Sequence, residues 1–199
     1  IGLHFFSPVD RMPLVEVIVG EKTDDATLAR SLDYTRQIRK TPIVINDSRG
    51  FYTSRVFSVF TAEGIAMLAE GVNPALIENA AKLAGMPVGP LAVTDEVTIE
   101  LAYKIGKETA AARGLDYPND AASRVVRRMV EDLDRKGKRF GKGFYDYPEG
   151  AKKHLWPGLA DEFPLADAQP AVDELEKRFL VVQALETARC VEEGVITHA

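Results

Sequence analysis

The chain has 199 residues, 46% hydrophobic and 28% charged, with a net charge of −5 and one cysteine. That is ordinary globular composition for one or two domains, and with no Lys/Arg stripe interleaved with aromatics it argues against a nucleic-acid partner. No apolar run approaches the roughly 18 residues of a membrane span, the first residues do not read as a signal peptide, and a lone Cys190 excludes a disulfide framework and fits a reducing cytoplasm.

In chain order, residues 1–6 read as a strand, Ser7, Pro8 and Asp10 as a turn, and residues 14–19 (Leu-Val-Glu-Val-Ile-Val) as a second strand too apolar for a surface. A helix follows, capped by Thr23-Asp24-Asp25, with Leu28, Leu32, Thr35 and Ile38 at helical spacing. Residues 42–46 form another buried-type strand, and Asp47 to Gly50 a turn. Residues 1–46 thus look like the last part of a nucleotide-binding sheet. From Phe51 the period becomes helical. One helix runs to Glu70 and stops at Gly71, and the next starts at Asn73-Pro74 and ends near Leu83. Further helices are expected over about 96–112 and 119–135, with a short helical turn at 91–93. Residues 137–143 read as a flexible basic loop, Phe144 to Tyr147 as an aromatic anchor, and 148–170 as an irregular connector.

The chain contains a repeat. Arg55, Glu63 and Gly71-Val72 recur as Arg178, Glu186 and Gly194-Val195, a period of 123 residues. The repeated Arg and Glu are expected to serve helix packing and polar pairing. The second copy is only a beginning, and its helix is expected to expose Phe179, Leu180, Val182 and Val191, which must pack on the first copy or on another chain.

The chemistry centres on His4 and Glu16, twelve residues apart. A Glu inside an apolar strand is costly to bury without a partner, and His4 is the nearest suitable one. A carboxylate on one ring nitrogen fixes the tautomer and leaves the other nitrogen as a base. The alternative is a structural histidine and a strand-edge glutamate. His154 and His198 read as solvated.

Five ordered motifs resemble the L-3-hydroxyacyl-CoA dehydrogenase family: Ile-Gly-Leu-His-Phe-Phe-Ser-Pro, Met-Pro-Leu-Val-Glu-Val, Arg-Gly-Phe-Tyr-Thr-Ser-Arg (49–55), Gly-Met-Pro-Val-Gly-Pro (85–90) followed by Asp95, and Gly-Lys-Gly-Phe-Tyr-Asp-Tyr (141–147). Ser7 and the Met-Pro-Leu-Val-Glu wording look most like the multifunctional fatty-acid oxidation enzymes. The resemblance implies a mainly α fold: a helical C-terminal dehydrogenase domain preceded by the last strands and helix of a Rossmann-type sheet. The corresponding divisions are 1–48, the incomplete end of an NAD-binding domain; 49–147, the helical domain; and 148–199, a connector and a truncated second helical repeat.

The implied reaction is oxidation of an L-3-hydroxyacyl-CoA to the 3-ketoacyl-CoA with NAD, in fatty-acid β-oxidation. His4 would be the base and Glu16 its orienting partner. Ser7 would lie on the nicotinamide side, where many relatives have Asn, or simply start a turn before Pro8. Ser54 stands where the family has a substrate-contacting Asn, and equally suits the first turn of a helix. Arg139 matches a family Lys near the cofactor, flanked by Lys138 and Lys142, although most such loops are only solvated. No Gly-x-Gly-x-x-Gly is present, so the chain reads as part of a larger enzyme, inactive in isolation. The implied partners are the acyl-CoA substrate, a second copy through the helical domain, and a thiolase subunit. Two competing readings are a non-catalytic helical assembly module and a dehydrogenase for another hydroxy acid.

Overall fold

The computed structural model describes residues 1–197. It is mainly helical with two small sheets, and it divides into two compact units: Ile1–Phe57 with the chain from Ala184 on, and Ser58–Gln183.

The first unit is built on a three-stranded sheet, β1 (Gly2–Phe5), β2 (Leu14–Val19) and β3 (Thr41–Asn46), in that spatial order. β1 lies antiparallel to β2 with His4 directly opposite Glu16, and β2 lies parallel to β3. The β2–β3 crossover is helix α1 (Asp25–Gln37), whose first turn is capped by Asp24 accepting the Thr27 N–H. Between β1 and β2 the chain turns through a cis Ser7–Pro8 peptide, and the Lys40 ammonium donates to the Val9 and Met12 carbonyls of this segment. Val15 and Val17 are wholly buried, as their apolar pattern requires. Ile18 and Ile45 form a small core with Cys190, Val195 and Ile196, on which Phe51 and Tyr52 pack.

Helix α2 (Thr53–Ala69) starts in this unit and continues in the second, which then adds α3 (Pro74–Leu83), α4 (Pro90–Val97) and α5 (Ile99–Ala112). The break between α4 and α5 replaces the expected continuous helix from about residue 96. Thr98 sits there at φ +74, with its hydroxyl oxygen accepting the Leu101 N–H. The expected helix over 119–135 is α6 (Ala121–Arg127) followed by a π-helical turn, Arg128–Asp132. The basic loop holds a single 3-10 turn, Lys138–Phe140. The connector is not wholly irregular: β4 (Tyr145–Asp146) pairs with β5 (His154–Leu155), and α7 (Leu159–Glu162) follows. The core of this unit includes Ile65, Leu68, Ile77, Leu91, Met129 and Phe144.

Helix α8 (Val172–Glu192) carries the second copy of the repeat. Phe179 is fully buried, contrary to the expected exposure, because its ring meets that of Phe60 at 5.2 Å. Leu180 and Val191 are exposed as expected, whereas Val182 is only partly so. The repeated charges pair crosswise. In the first unit Arg55 donates to Glu186 at 2.7 Å and Glu193 at 2.5 Å; in the second, Arg178 donates to Glu63 and Glu70, both at 2.6 Å. The repeat extends further than the sequence alone suggested. Asn46 and Gln169, 123 residues apart, donate their side-chain amides to the carbonyls of Gly194 and Gly71 respectively, and both glycines have the positive φ of a helix stop.

Candidate active site

The cross-strand register of β1 and β2 places His4 against Glu16, and the imidazole Nδ1 lies 2.5 Å from the carboxylate Oε2. Glu16 is 0% exposed, so its charge needs partners, and it has three. Its other oxygen accepts the N–H groups of Tyr52 at 3.2 Å and Thr53 at 2.8 Å, at the start of α2. Free N–H groups and the positive end of the helix dipole both favour an acid at that place. A carboxylate only accepts, so in the neutral form of His4 the proton sits on Nδ1 and the lone pair on Nε2. The His4 ring neighbours those of Phe6 and Phe51, with centroids 4.6 and 5.5 Å away. The histidine side chain is 31% exposed, enough for a reactant to reach it.

Ser7 is exposed in the turn after β1. Ser54 is the second residue of α2 and partly exposed. Next to it, the buried Thr53 hydroxyl makes no hydrogen bond with the protein. Arg139 lies in the second unit, exposed in the 3-10 turn. Of its neighbours, Lys142 is paired with Asp134 at 3.0 Å, and Lys138 lies 3.9 Å from Glu96. His154 is exposed, 3.6 Å from Asp146, and His198 lies outside the described residues.

A second group of acids lies in the second unit. Asp95, wholly buried, accepts the N–H groups of Phe144 and Tyr145, both at 2.9 Å, and the Tyr147 hydroxyl at 3.0 Å. Glu78 accepts the Leu91 N–H at the start of α4 and the Tyr145 hydroxyl, both at 2.8 Å. Burial raises both carboxyls, Asp95 to about 6, against the opposing pull of their hydrogen bonds, and it raises the Tyr145 and Tyr147 hydroxyls as well. Gly143 permits the close approach, since a Cβ there would fall 2.0 Å from an Asp95 oxygen. Arg135 donates to the carbonyls of Gly143 and Tyr145 and to Asp146, and stacks 4.1 Å over Trp156. Every partner in this group belongs to the frame of the domain, so these acids hold the aromatic anchor in place. Asp95 was legible only as a member of a motif. For Glu78, the one signal was an acid on the apolar face of a short helix.

Residues 1–48 match the model of the 3-hydroxyacyl-CoA dehydrogenase NAD-binding domain, and residues 50–147 that of the C-terminal domain of the same enzymes. The chain belongs to the 3-hydroxyacyl-CoA dehydrogenase family. The fatty acid oxidation complex subunit alpha of Shewanella loihica is 39% identical over 200 residues, covering 98% of this chain and 28% of its own length. The corresponding subunit of Shewanella amazonensis is 39% identical with the same coverage. The chain thus spans just over a quarter of the length of these curated relatives. Among solved structures, the dehydrogenase part of multifunctional enzyme 1 from C. elegans matches 98% of this chain and 45% of its own, with a TM-score of 0.74 and 25% identity. The (S)-3-hydroxybutyryl-CoA dehydrogenase of Ralstonia eutropha matches 74% of this chain and 52% of its own, with a TM-score of 0.66 and 31% identity.

Proposed function

We propose that this chain is the substrate-side part of an NAD-dependent L-3-hydroxyacyl-CoA dehydrogenase of fatty-acid β-oxidation, with His4 as the base and Glu16 as its positioning partner. The observation that carries the reading is the buried Glu16 carboxylate, which binds His4 Nδ1 and the first N–H groups of α2 together. Residues 1–48 supply the last strands and helix of a Rossmann-type sheet, residues 49–147 the helical domain, and residues 148–199 the connector and the opening of a second repeat.

NAD supplies the hydride acceptor when bound. Part of a cofactor and substrate site is present in this chain. An imidazole with one nitrogen committed and one free, and a buried Thr53 hydroxyl with no protein partner, leave polar groups for a ligand. His4 Nε2 takes the proton of the substrate 3-hydroxyl, and Glu16 stabilises the imidazolium that results. Ser54, one residue along α2, would donate to the substrate oxygen, and Ser7 would offer its hydroxyl to the nicotinamide. Arg139, which stands where the family has a cofactor-side Lys, would offer an exposed cation to the cofactor. The acyl-CoA is the small-molecule partner. A second copy, paired through the helical domain, and a thiolase subunit are the protein partners, and the setting is cytoplasmic.

The test is NAD reduction by the full-length polypeptide that carries these residues. L-3-hydroxyacyl-CoA should be oxidised, while the D-enantiomer and free 3-hydroxy acids should not. Oxidation of a free hydroxy acid in preference to the thioester, or no turnover with either, would overturn the proposal.

A further inference from the structure

The His4 ring has three close neighbours, and one of them has an unusual backbone. Glu16 binds Nδ1 and Phe6 directly follows β1, the strand that carries His4, but Phe51 comes from the turn before α2. Phe51 has φ +52 and directly follows Gly50 at φ +83. The left-handed region suits glycine, and the sequence supplies one at 50. An aromatic residue there crowds its Cβ against its own backbone and persists only where the surroundings enforce it. Two features of the site depend on this conformation. It brings the Phe51 ring to 5.5 Å from the imidazole. It also sets the direction of the next two N–H groups, those of Tyr52 and Thr53, which converge on one oxygen of Glu16. Successive N–H groups after a left-handed residue form a small anion-binding concavity.

We infer that Phe51 is a positioning residue for the dyad: its left-handed turn fixes the imidazole by ring contact and the Glu16 carboxylate by the N–H groups that follow. The kinetic arm of this inference rests on the proposal that His4 is the base; the spectroscopic arm does not. Phe51 also packs on the small core of the first unit, so loss of stability alone would not separate positioning from packing.

The test uses the full-length polypeptide with isotope-labelled histidine. Phe51→Leu keeps an apolar side chain and removes the ring. Phe51→Gly accepts the left-handed φ without strain and serves if the leucine variant does not fold. In the parent, the His4 nitrogen signals should report one tautomer, with the proton on Nδ1. In either variant they should report a mixture of tautomers. Turnover should fall about tenfold to a hundredfold, as expected for a displaced catalytic group, with KM for the acyl-CoA nearly unchanged. Phe51→Tyr, which keeps the ring, should restore both readouts. A folded Phe51→Leu or Phe51→Gly variant with parental nitrogen signals would overturn the inference, whatever its turnover. If His4→Gln retains turnover, the base assignment fails and the nitrogen signals alone decide the role of Phe51.

Discussion

Buried acids dominate this chain at the scale of single residues, and they are held in different ways. Glu16 has an imidazole and two N–H groups, whereas Asp95 has two N–H groups and a tyrosine hydroxyl. Asp95 titrates at about 6 in the folded protein, above its ordinary 3.8, chiefly because it is buried. Between those values the folded state holds a proton that the unfolded state has lost. The contribution of Asp95 to stability is therefore full at low pH and falls as pH rises from about 4 to about 6. The groups around it are the Arg135 guanidinium, the Tyr145 and Tyr147 hydroxyls, and Glu96 next in the chain. Urea midpoints measured across this range for the parent and for Asp95→Asn should show the fall in the parent and its loss in the variant. Parallel pH profiles would contradict the assignment. The His4–Glu16 pairing was legible in sequence, because a glutamate inside Leu-Val-Glu-Val-Ile-Val has few ways to be satisfied. The two N–H donors on Glu16 were not, because they depend on the path of the backbone through Phe51.

Elements were legible where glycine, proline or a capping residue marked their ends, and illegible where an ordinary residue took an unusual conformation. Asn73-Pro74 opens α3 as read. The break between α4 and α5 falls on Thr98, a β-branched residue at φ +74, and no sequence rule places it there. Thr98→Gly should relieve that backbone at the cost of the cap to the Leu101 N–H, a net gain of about 1 kcal/mol seen as a higher urea midpoint. A lower midpoint would mean that the cap outweighs the strain. The repeat gave the ion-pairing residues correctly but not their partners. Each arginine binds the glutamate of the other copy, which the repeat by itself does not reveal. The Glu186 side chain is 9% exposed and Glu63 is 23% exposed; without Arg55, Glu186 keeps only the solvent-exposed Arg189 at 3.2 Å, so the loss costs more at the more deeply buried acid. Arg55→Gln should lower stability by about 2 kcal/mol and Arg178→Gln by about 1 kcal/mol in chemical denaturation. The reverse order would show that burial of the acid does not govern the pair.

At the scale of the whole molecule, the second repeat is partly satisfied within the chain. Phe179 is buried against Phe60, yet Leu180, Val181, Leu185 and Val191 remain exposed along α8. Covering several of them at about 25 cal/mol per Å² would offset much of the cost of association, and twofold self-pairing is the commonest way to do so. Light scattering over a concentration series should show a mass rising toward twice that of one chain, and a constant single-chain mass would remove the dimer. Of the two covers the sequence left open for this face, the first copy or another chain, Phe179 takes the first; a helical period shows that a residue is apolar but not what covers it. The central claim, however, concerns His4. In the full-length polypeptide, His4→Gln should lower kcat for L-3-hydroxyacyl-CoA oxidation by about 100- to 10,000-fold while KM changes little, with Glu16→Gln acting in the same direction. Near-parental turnover in a folded His4→Gln variant would contradict the account.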